Sequence, residues 1–411
     1  MPQKLLDDRH GRAGHEEAYL QTPPVGGRQE VPEEPAAGMK VAFIGAKGIP
    51  PRFGGIEVHV DELSRGLVRR GAEAVVYVRD WYTPRRLKSH RGVRLVHAPT
   101  VRTKHLDAAV HSFLATVHCL FTRADIVHYH GIGPAIFSPL ARVAGKRAAV
   151  TVHRLDWAAD KWSPPARAML KLAERVAVLA AHRLIVVSAD LAGHLRLRHG
   201  VEASVIPNAV PRGTIRPLAG AGRRFGLEAG GYVLFLGRLV PEKRPDWLVR
   251  AFLESAARRE GLRLVLAGGA SGTEDYVRKL KDLAKDDPRI VFTDNVSGEE
   301  KEEIFSNALL FVLPSRLEGH PIALLEARGY GLGCLASDIG PHREVVRDGR
   351  DGVLFRASDY GDFAAKLEAL LDDPVRVREL GRRAAEAAAS GPGWEDVVSG
   401  TLAVYRSLCG V

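Results

Sequence analysis

Cysteine is scarce in this chain: Cys119, Cys334 and Cys409 are the three among 411 residues, and no two of them form a CxxC pair. Neither a disulfide framework nor a thiolate zinc site follows from that spacing, and a reducing cytosol is the expected compartment. Long apolar runs are missing too. The stretch from Leu179 to Val187 is broken by His182 and Arg183, so no uncharged segment of about 18 residues is available to cross a bilayer. The start, MPQKLLDDRH, lacks the apolar core and small-residue cleavage site of a secretory signal, and its acids argue against a transit peptide. What is present, 45% apolar and 26% charged residues, fits a globular cytoplasmic protein long enough for two hydrophobic cores.

Charge is unevenly spread. Residues 39–209 carry 26 basic and 12 acidic side chains, whereas residues 210–411 carry 29 and 30. A field of that sign over the first half favours anionic partners: nucleic acid, an anionic membrane surface or a charged small substrate.

Residues 1–38 are rich in Pro, Gly and Glu without a sustained apolar period, and read as a disordered extension. Ordered pattern starts with KVAFIG after Met39, a continuous apolar run suited to a strand buried on both faces. Apolar runs of strand length then alternate with amphipathic stretches, including helices over Glu57–Arg70, Ala135–Val143 and Pro165–Ala181. A polar stretch after Asn208 separates this from a second series, which opens at Tyr232–Leu236 and runs through helices Glu274–Ala284, Pro321–Arg328 and Pro341–Val346. Two Rossmann-like, doubly wound α/β domains in tandem are expected, over 39–209 and 210–390, with residues 391–411 forming a last helix that packs back toward the first domain. Ligands of such sheets bind at the carboxyl ends of the strands, so the predicted site is a cleft between facing domains.

Four loops carry the candidate chemistry. The first strand runs into GAKGIPPRFGG, where Gly54 and Gly55 permit close backbone approach and the following helix start offers free amides to an anion; the spacing is not GxGxxG, which argues against NAD. His128-Tyr-His130 places two histidines on one strand face, and His153-Arg-Leu-Asp156 ends another strand. These histidines are read as polar groups lining the cleft rather than as metal ligands. In Gly237-Arg238-Leu-Val-Pro-Glu-Lys243 two cations five residues apart could neutralise a diphosphate, Arg238 through a bidentate contact and Lys243 as a point charge. In PSRLEGHPIALLEA, Glu318 and Glu326 flank a helix whose start is predicted at Pro321, leaving the amides of Ile322 and Ala323 for a phosphate. Without a ligand, Glu326 would need Arg328 or Arg343 as its partner.

Taken together, the Gly237–Lys243 loop, the paired glutamates Glu318 and Glu326, SDIGPHREVVRDGRDGVLF and IPNAV resemble a family 4 glycosyltransferase of GT-B fold, over residues 39–411. GAKGIPPRFGGIEVHVDEL, HYHGIGPA and HRLDWAADKW are similar to a bacterial subgroup that includes rhamnosyltransferase-like enzymes of surface polysaccharide assembly. The resemblance implies a retaining transfer from a nucleoside diphosphate sugar to an acceptor hydroxyl, with no metal and no cofactor. It implies that Arg238 and Lys243 bind the donor diphosphate, Glu326 the ribose and Glu318 the sugar. His153 would lie near the anomeric centre, and Gly54 and Gly55 would approach the phosphates. His130, Asp156, His320, Ile322 and Ala323 complete the candidate substrate contacts. Two positions depart from the pattern: Arg154 stands where the subgroup has glycine, and His320-Pro321 where many relatives have an aromatic and a glycine.

Three alternatives stay open on sequence grounds. The same scaffold serves nucleotide-sugar hydrolases or epimerases, and a basic domain could simply bind an anionic polymer. Nucleic acid is disfavoured because the cations are not interleaved with exposed aromatics. A saccharide or lipid-linked acceptor is expected, and Arg167, Lys171 and Arg175 beside Met169, Leu170, Leu172 and Val176 suggest contact with an anionic inner membrane face.

Overall fold

A computed structural model describes residues 36–411 except 102, 104, 105, 210–212, 257, 258, 260, 286 and 411; of the extension predicted over 1–38, residues 1–35 lie outside the described residues, and Ala36 is instead part of the first core, its amide donating to the Arg70 carbonyl at 2.7 Å. Its first sheet contains β1 (Lys40–Ile44), β2 (Glu73–Val78), β3 (Ser89–His90), β4 (Val93–His97), β5 (Ile126–His130), β6 (Arg147–Val152), β7 (Arg183–Val186) and β8 (Ser204–Val205). They are arranged β3-β4-β2-β1-β5-β6-β7-β8, parallel except for the β3–β4 pair. The second sheet contains β9 (Tyr232–Leu236), β10 (Arg263–Ala267), β11 (Ile290–Asp294), β12 (Leu310–Leu313), β13 (Gly333–Ser337) and β14 (Val353–Phe355), all parallel, in the order β11-β10-β9-β12-β13-β14. Strands such as YVLFL and LFVL are buried almost throughout because helices cover both faces, which is why they read as unbroken apolar runs.

Each sheet reverses its winding once. In the first the reversal falls between β1 and β5, in the second between β9 and β12. At such a switch point adjacent loops diverge and leave a crevice beyond the strand ends. The loops there are those after Ile44, His130, Leu236 and Leu313, so topology collects GAKGIPPRFGG with HYHG on the first sheet and GRLVPEK with PSRLEGHP on the second.

The last helix, Trp394–Cys409, leaves the second sheet and packs on the first. It lies against helix Gly55–Arg69, where a β-carbon on Gly66 would sit 2.3 Å from Val398 Cγ2, so glycine is what lets the helices touch. Val398, Leu402, Tyr405 and Leu408 join the core built on Val41 and Phe43, and the Tyr405 hydroxyl bonds His128 Nδ1 at 2.6 Å.

Several elements differ from expectation. The helix predicted over Ala135–Val143 is two, Ile132–Ala135 and Ser138–Val143. Pro139 lacks an amide proton, and its ring would collide with the Ala135 carbonyl in a continuous helix. The helix predicted from Pro341 to Val346 shortens to Gly340–Arg343. Helices Ala189–His199, Tyr360–Asp372 and Pro374–Ser390 are additional, each opened by a side-chain cap from Ser188, Asp359 or Asp373.

Candidate functional site

The lobes are in contact around the cleft. Asp160 pairs with Arg316, and Glu344 accepts from the amides of Ala189 and Asp190 at 3.0 and 2.9 Å, closing the open end of helix Ala189–His199 with a carboxylate from the other lobe. Gly55, at the start of helix Gly55–Arg69, faces Ile322: a β-carbon there would come within 3.3 Å of Ile322 Cδ1. Gly54 adopts φ +102°, and a side chain on it would overlap the Glu57 carboxylate, which folds back to accept from the Lys47 amide at 3.0 Å.

On the second lobe Arg238 follows β9 and Lys243 ends a 3₁₀ turn over Pro241–Lys243. Lys243 pairs with Glu318, which also accepts from Ser315 Oγ at 2.8 Å. Those contacts hold the Glu318 carboxyl below its ordinary range although burial pushes the other way. The Arg238 guanidinium makes no ion pair with another described residue. The charge of Arg154 across the cleft, with burial adding, pushes it down to about 10.

The helix predicted to begin at Pro321 begins at Ile322. Pro321 is its N-cap, in an extended conformation, because a residue whose carbonyl starts the helix need not itself be helical. The Pro321 carbonyl accepts from Leu324 and Leu325, and the amides of Ile322 and Ala323 come before them, directed out of the helix end. Glu326 pairs with Lys301 at 2.8 Å rather than with Arg328 or Arg343. Arg328 is committed to buried Asp351 at 2.8 Å, and Arg343 to Asp338.

The first lobe contributes a buried histidine cluster. His153 Nε2 and His130 Nδ1 lie 3.0 Å apart, and the His59 ring stands edge-on to His153 at 4.9 Å between centroids. Burial lowers all three, His59 to about 4 and the others well below their ordinary value, so they are neutral at pH 7. Asn208, in the linker after β8, joins this cluster to the other lobe: Nδ2 donates to the His320 carbonyl at 2.9 Å, and Oδ1 lies 2.9 Å from His59 Nδ1. A carbonyl can only accept, which fixes the amide; His59 must then carry its proton on Nδ1 and keep an acceptor lone pair on Nε2. One nitrogen each of His59, His130 and His153 lies within 4.8 Å of the others, a spacing that a metal ion could use. His320 Nδ1 is buried without a partner, and Asp156 accepts from Arg154 Nε at 3.0 Å.

The candidates thus fall into two groups. Arg238, Lys243, Glu318, His153, Gly54, Gly55, Ile322 and Ala323 converge on the cleft with Arg154 and Asp156. Glu326 sits further along its helix beside Lys301, and His130 lies behind His153. His59 stands in no candidate loop, and Asn208 and Glu242 lie within IPNAV and the Gly237–Lys243 loop with no role that the sequence assigns. Their partners are 149, 112 and 88 residues away, too far along the chain for spacing to pair them.

Contact between lobes is tightest at Gly319, where a β-carbon would sit 1.6 Å from the His153 carbonyl oxygen. Gly319→Ala is expected to force the lobes apart, because the atom met is backbone and cannot swing aside, lowering kcat by up to about a hundredfold together with the melting temperature. A steady-state assay alongside thermal melting checks this, and an unchanged kcat contradicts it.

Two parallel sheets whose switch points face each other across a cation-lined cleft are the GT-B arrangement of glycosyltransferases. Comparisons with known proteins agree. The family model described as "Glycosyltransferase Family 4" matches residues 53–212, and "Glycosyl transferases group 1" matches 226–390. The chain is 30% identical to the D-inositol 3-phosphate glycosyltransferase of Acidothermus cellulolyticus, over 86% of this chain and 85% of that protein. The namesake from Frankia alni is also 30% identical, with 86% and 94% covered. Among solved structures, sucrose-phosphate synthase from Thermosynechococcus elongatus superposes with a TM-score of 0.78 at 20% identity, covering 90% of this chain and 99% of that one. Anabaena Alr3699/HepE in complex with UDP-glucose gives 0.73 at 17%, covering 91% and 100%. The chain belongs to the family 4 glycosyltransferases and is a glycosyltransferase of GT-B fold. These relatives carry the inositol phosphate name, so the narrower likeness to rhamnosyltransferase-like enzymes gains no support from them.

Proposed function

We propose that the cleft binds a nucleoside diphosphate sugar and transfers the sugar, with retention of anomeric configuration, to an acceptor hydroxyl. One observation carries the reading: Arg238, a half-buried guanidinium with no ion pair among the described residues, lies in the same loop as Lys243 at the switch point where the amides of Ile322 and Ala323 open. Cleaving the bond between sugar and phosphate leaves negative charge on the diphosphate, and these groups are already in place to receive it. Protein cations supply that stabilisation, so the proposed step takes no metal. Glu318 would hold sugar hydroxyls, Glu326 the ribose and His153 the face near the anomeric carbon. The acceptor hydroxyl attacks from the side the diphosphate leaves, and a phosphate oxygen takes its proton. A UDP-glucose complex of a structural neighbour and the glycosyltransferase names of the relatives support a donor of this type.

The acceptor is proposed to be anionic, in surface polysaccharide or glycoconjugate assembly at the cytoplasmic membrane face. The excess of cations in the first lobe supports this, as does the phosphorylated polyol in the relatives' names. No helix among the described residues is long and apolar enough to cross a membrane. Helix Pro164–Ala180 exposes Met169, Leu172 and Leu179 beside Lys171 and Arg175, a face suited to lie on anionic lipid.

The test is product analysis with a panel of nucleoside diphosphate sugars. Nucleoside diphosphate release that rises in proportion to added acceptor, with the donor's anomeric configuration kept in the product, is expected. Release independent of acceptor would make the protein a hydrolase, and an inverted product would remove the retaining step. Co-sedimentation with vesicles containing phosphatidylglycerol at low salt tests the membrane part, which absence of binding overturns.

A further inference from the structure

Arg154 follows His153 at the end of β6, in the position where the resembled subgroup carries glycine. Its guanidinium is nearly buried, 14% exposed; Nε donates to Asp156 at 3.0 Å and Nη1 reaches Glu242 Oε1 across the cleft at 3.5 Å. Glu242 belongs to the Arg238–Lys243 loop, so Arg154 is inserted into the loop expected to hold the diphosphate. The backbone there is equally close: a β-carbon on Gly319 would lie 3.3 Å from Arg154 Cα.

Two features leave this arrangement incomplete. Glu242 is fully buried, its Oε2 has no hydrogen-bond partner among the described residues, and its bond to Arg154 is long for a buried charge pair. Like charges from opposite lobes also meet: Arg154 is the leading cause that lowers Arg238, and both help burial bring Lys161 down to about 8, although Asp156, Glu242 and Glu318 offset part of this and hold Arg154 itself above its ordinary value. Guanidinium groups crowded in a dry cleft are stable together when an anion lies between them.

We infer that Arg154 is a third ligand of the donor diphosphate, contributed by the first lobe and available only when the lobes are closed. Resting on the nucleoside diphosphate reading above, the inference adds a residue that the subgroup pattern lacks. On binding, the guanidinium keeps its long contact with Glu242 and directs its other amino group to a phosphate oxygen, so that leaving-group charge is met from both sides of the cleft. An Arg154–Glu242 clamp between lobes that leaves the phosphate untouched is the competing use of the same geometry.

Calorimetric titration with UDP, GDP, ADP and dTDP, and with the monophosphate matching the tightest of them, separates the possibilities. The parent reading requires the wild-type protein to prefer diphosphate to monophosphate; without that preference the parent reading itself fails. Given it, Arg154→Ala is expected to weaken the diphosphate about tenfold and the monophosphate less than about twofold, with Arg154→Lys in between because it keeps the charge and loses the fork. Glu242→Gln, which keeps the side chain's shape, is expected to hold or raise diphosphate affinity by weakening the competing pull on Arg154. Diphosphate affinity unchanged in Arg154→Ala overturns the inference. So does a Glu242→Gln variant as weak as Arg154→Ala, which would establish the clamp instead.

Discussion

Replacement of Arg238 by alanine is expected to lower turnover about a hundredfold, a loss of roughly 3 kcal/mol of transition-state stabilisation. The fold should not miss this side chain. No described residue pairs with it, and the charge of Arg154 opposes it, so removal relieves a repulsion and the melting temperature should hold or rise. Lys243→Ala differs, because it strips the nearly buried Glu318 carboxylate of its partner and should cost stability as well as rate. Measuring kcat and thermal melting on both variants separates a group used for chemistry from one used for both purposes. An Arg238→Ala enzyme within about threefold of wild type would contradict the proposed diphosphate grip.

Acidification below neutrality is expected to unfold the protein well before its carboxylates protonate. Burial holds His59, His320 and His342 down to about 4 and His128 and His111 to about 3, with His130 and His153 also depressed. Each is neutral when folded and takes a proton only when unfolded, near its ordinary value of 6.5. Their contribution is therefore intact above that pH and is lost as pH falls from there toward 4. Each group changes stability by up to about 1.4 kcal/mol per pH unit in that window, so three of them acting over two units remove about 8 kcal/mol, within the whole stability of a typical domain. Urea midpoints measured from pH 7.5 to 4.5 check the slope. A midpoint that stays flat between pH 7 and 5 would show that these rings are solvated.

Much of the fold is legible in the sequence because parallel strands covered on both faces must be apolar along their whole length. β9 and helix Glu274–Ala284 lie residue for residue where the pattern puts them. Helix Ala189–His199 escapes it because only Leu191 and Leu195 are buried among arginines and histidines, although Ser188 and Gly200 mark its ends. β14 spans three residues, too short for alternation to register. Within the site, Glu318 could be linked with Lys243 through motif resemblance, and the ion pair between them is a contact no spacing reveals. Glu242 reads as a solvated loop acid until lobe contact buries it, and His59 reads as one polar residue on an amphipathic helix. What was illegible depends on which surface faces which across the cleft.

The return of helix Trp394–Cys409 to the first sheet bears on how the protein is made. Four apolar side chains of the earliest core, Val398, Leu402, Tyr405 and Leu408, are translated after every strand of both sheets. During synthesis the nascent first half therefore waits with an open hydrophobic groove along helix Gly55–Arg69, and a ribosome stalled before residue 394 presents that groove to chaperones and proteases. Completion of the oldest half of the molecule falls to its youngest residues.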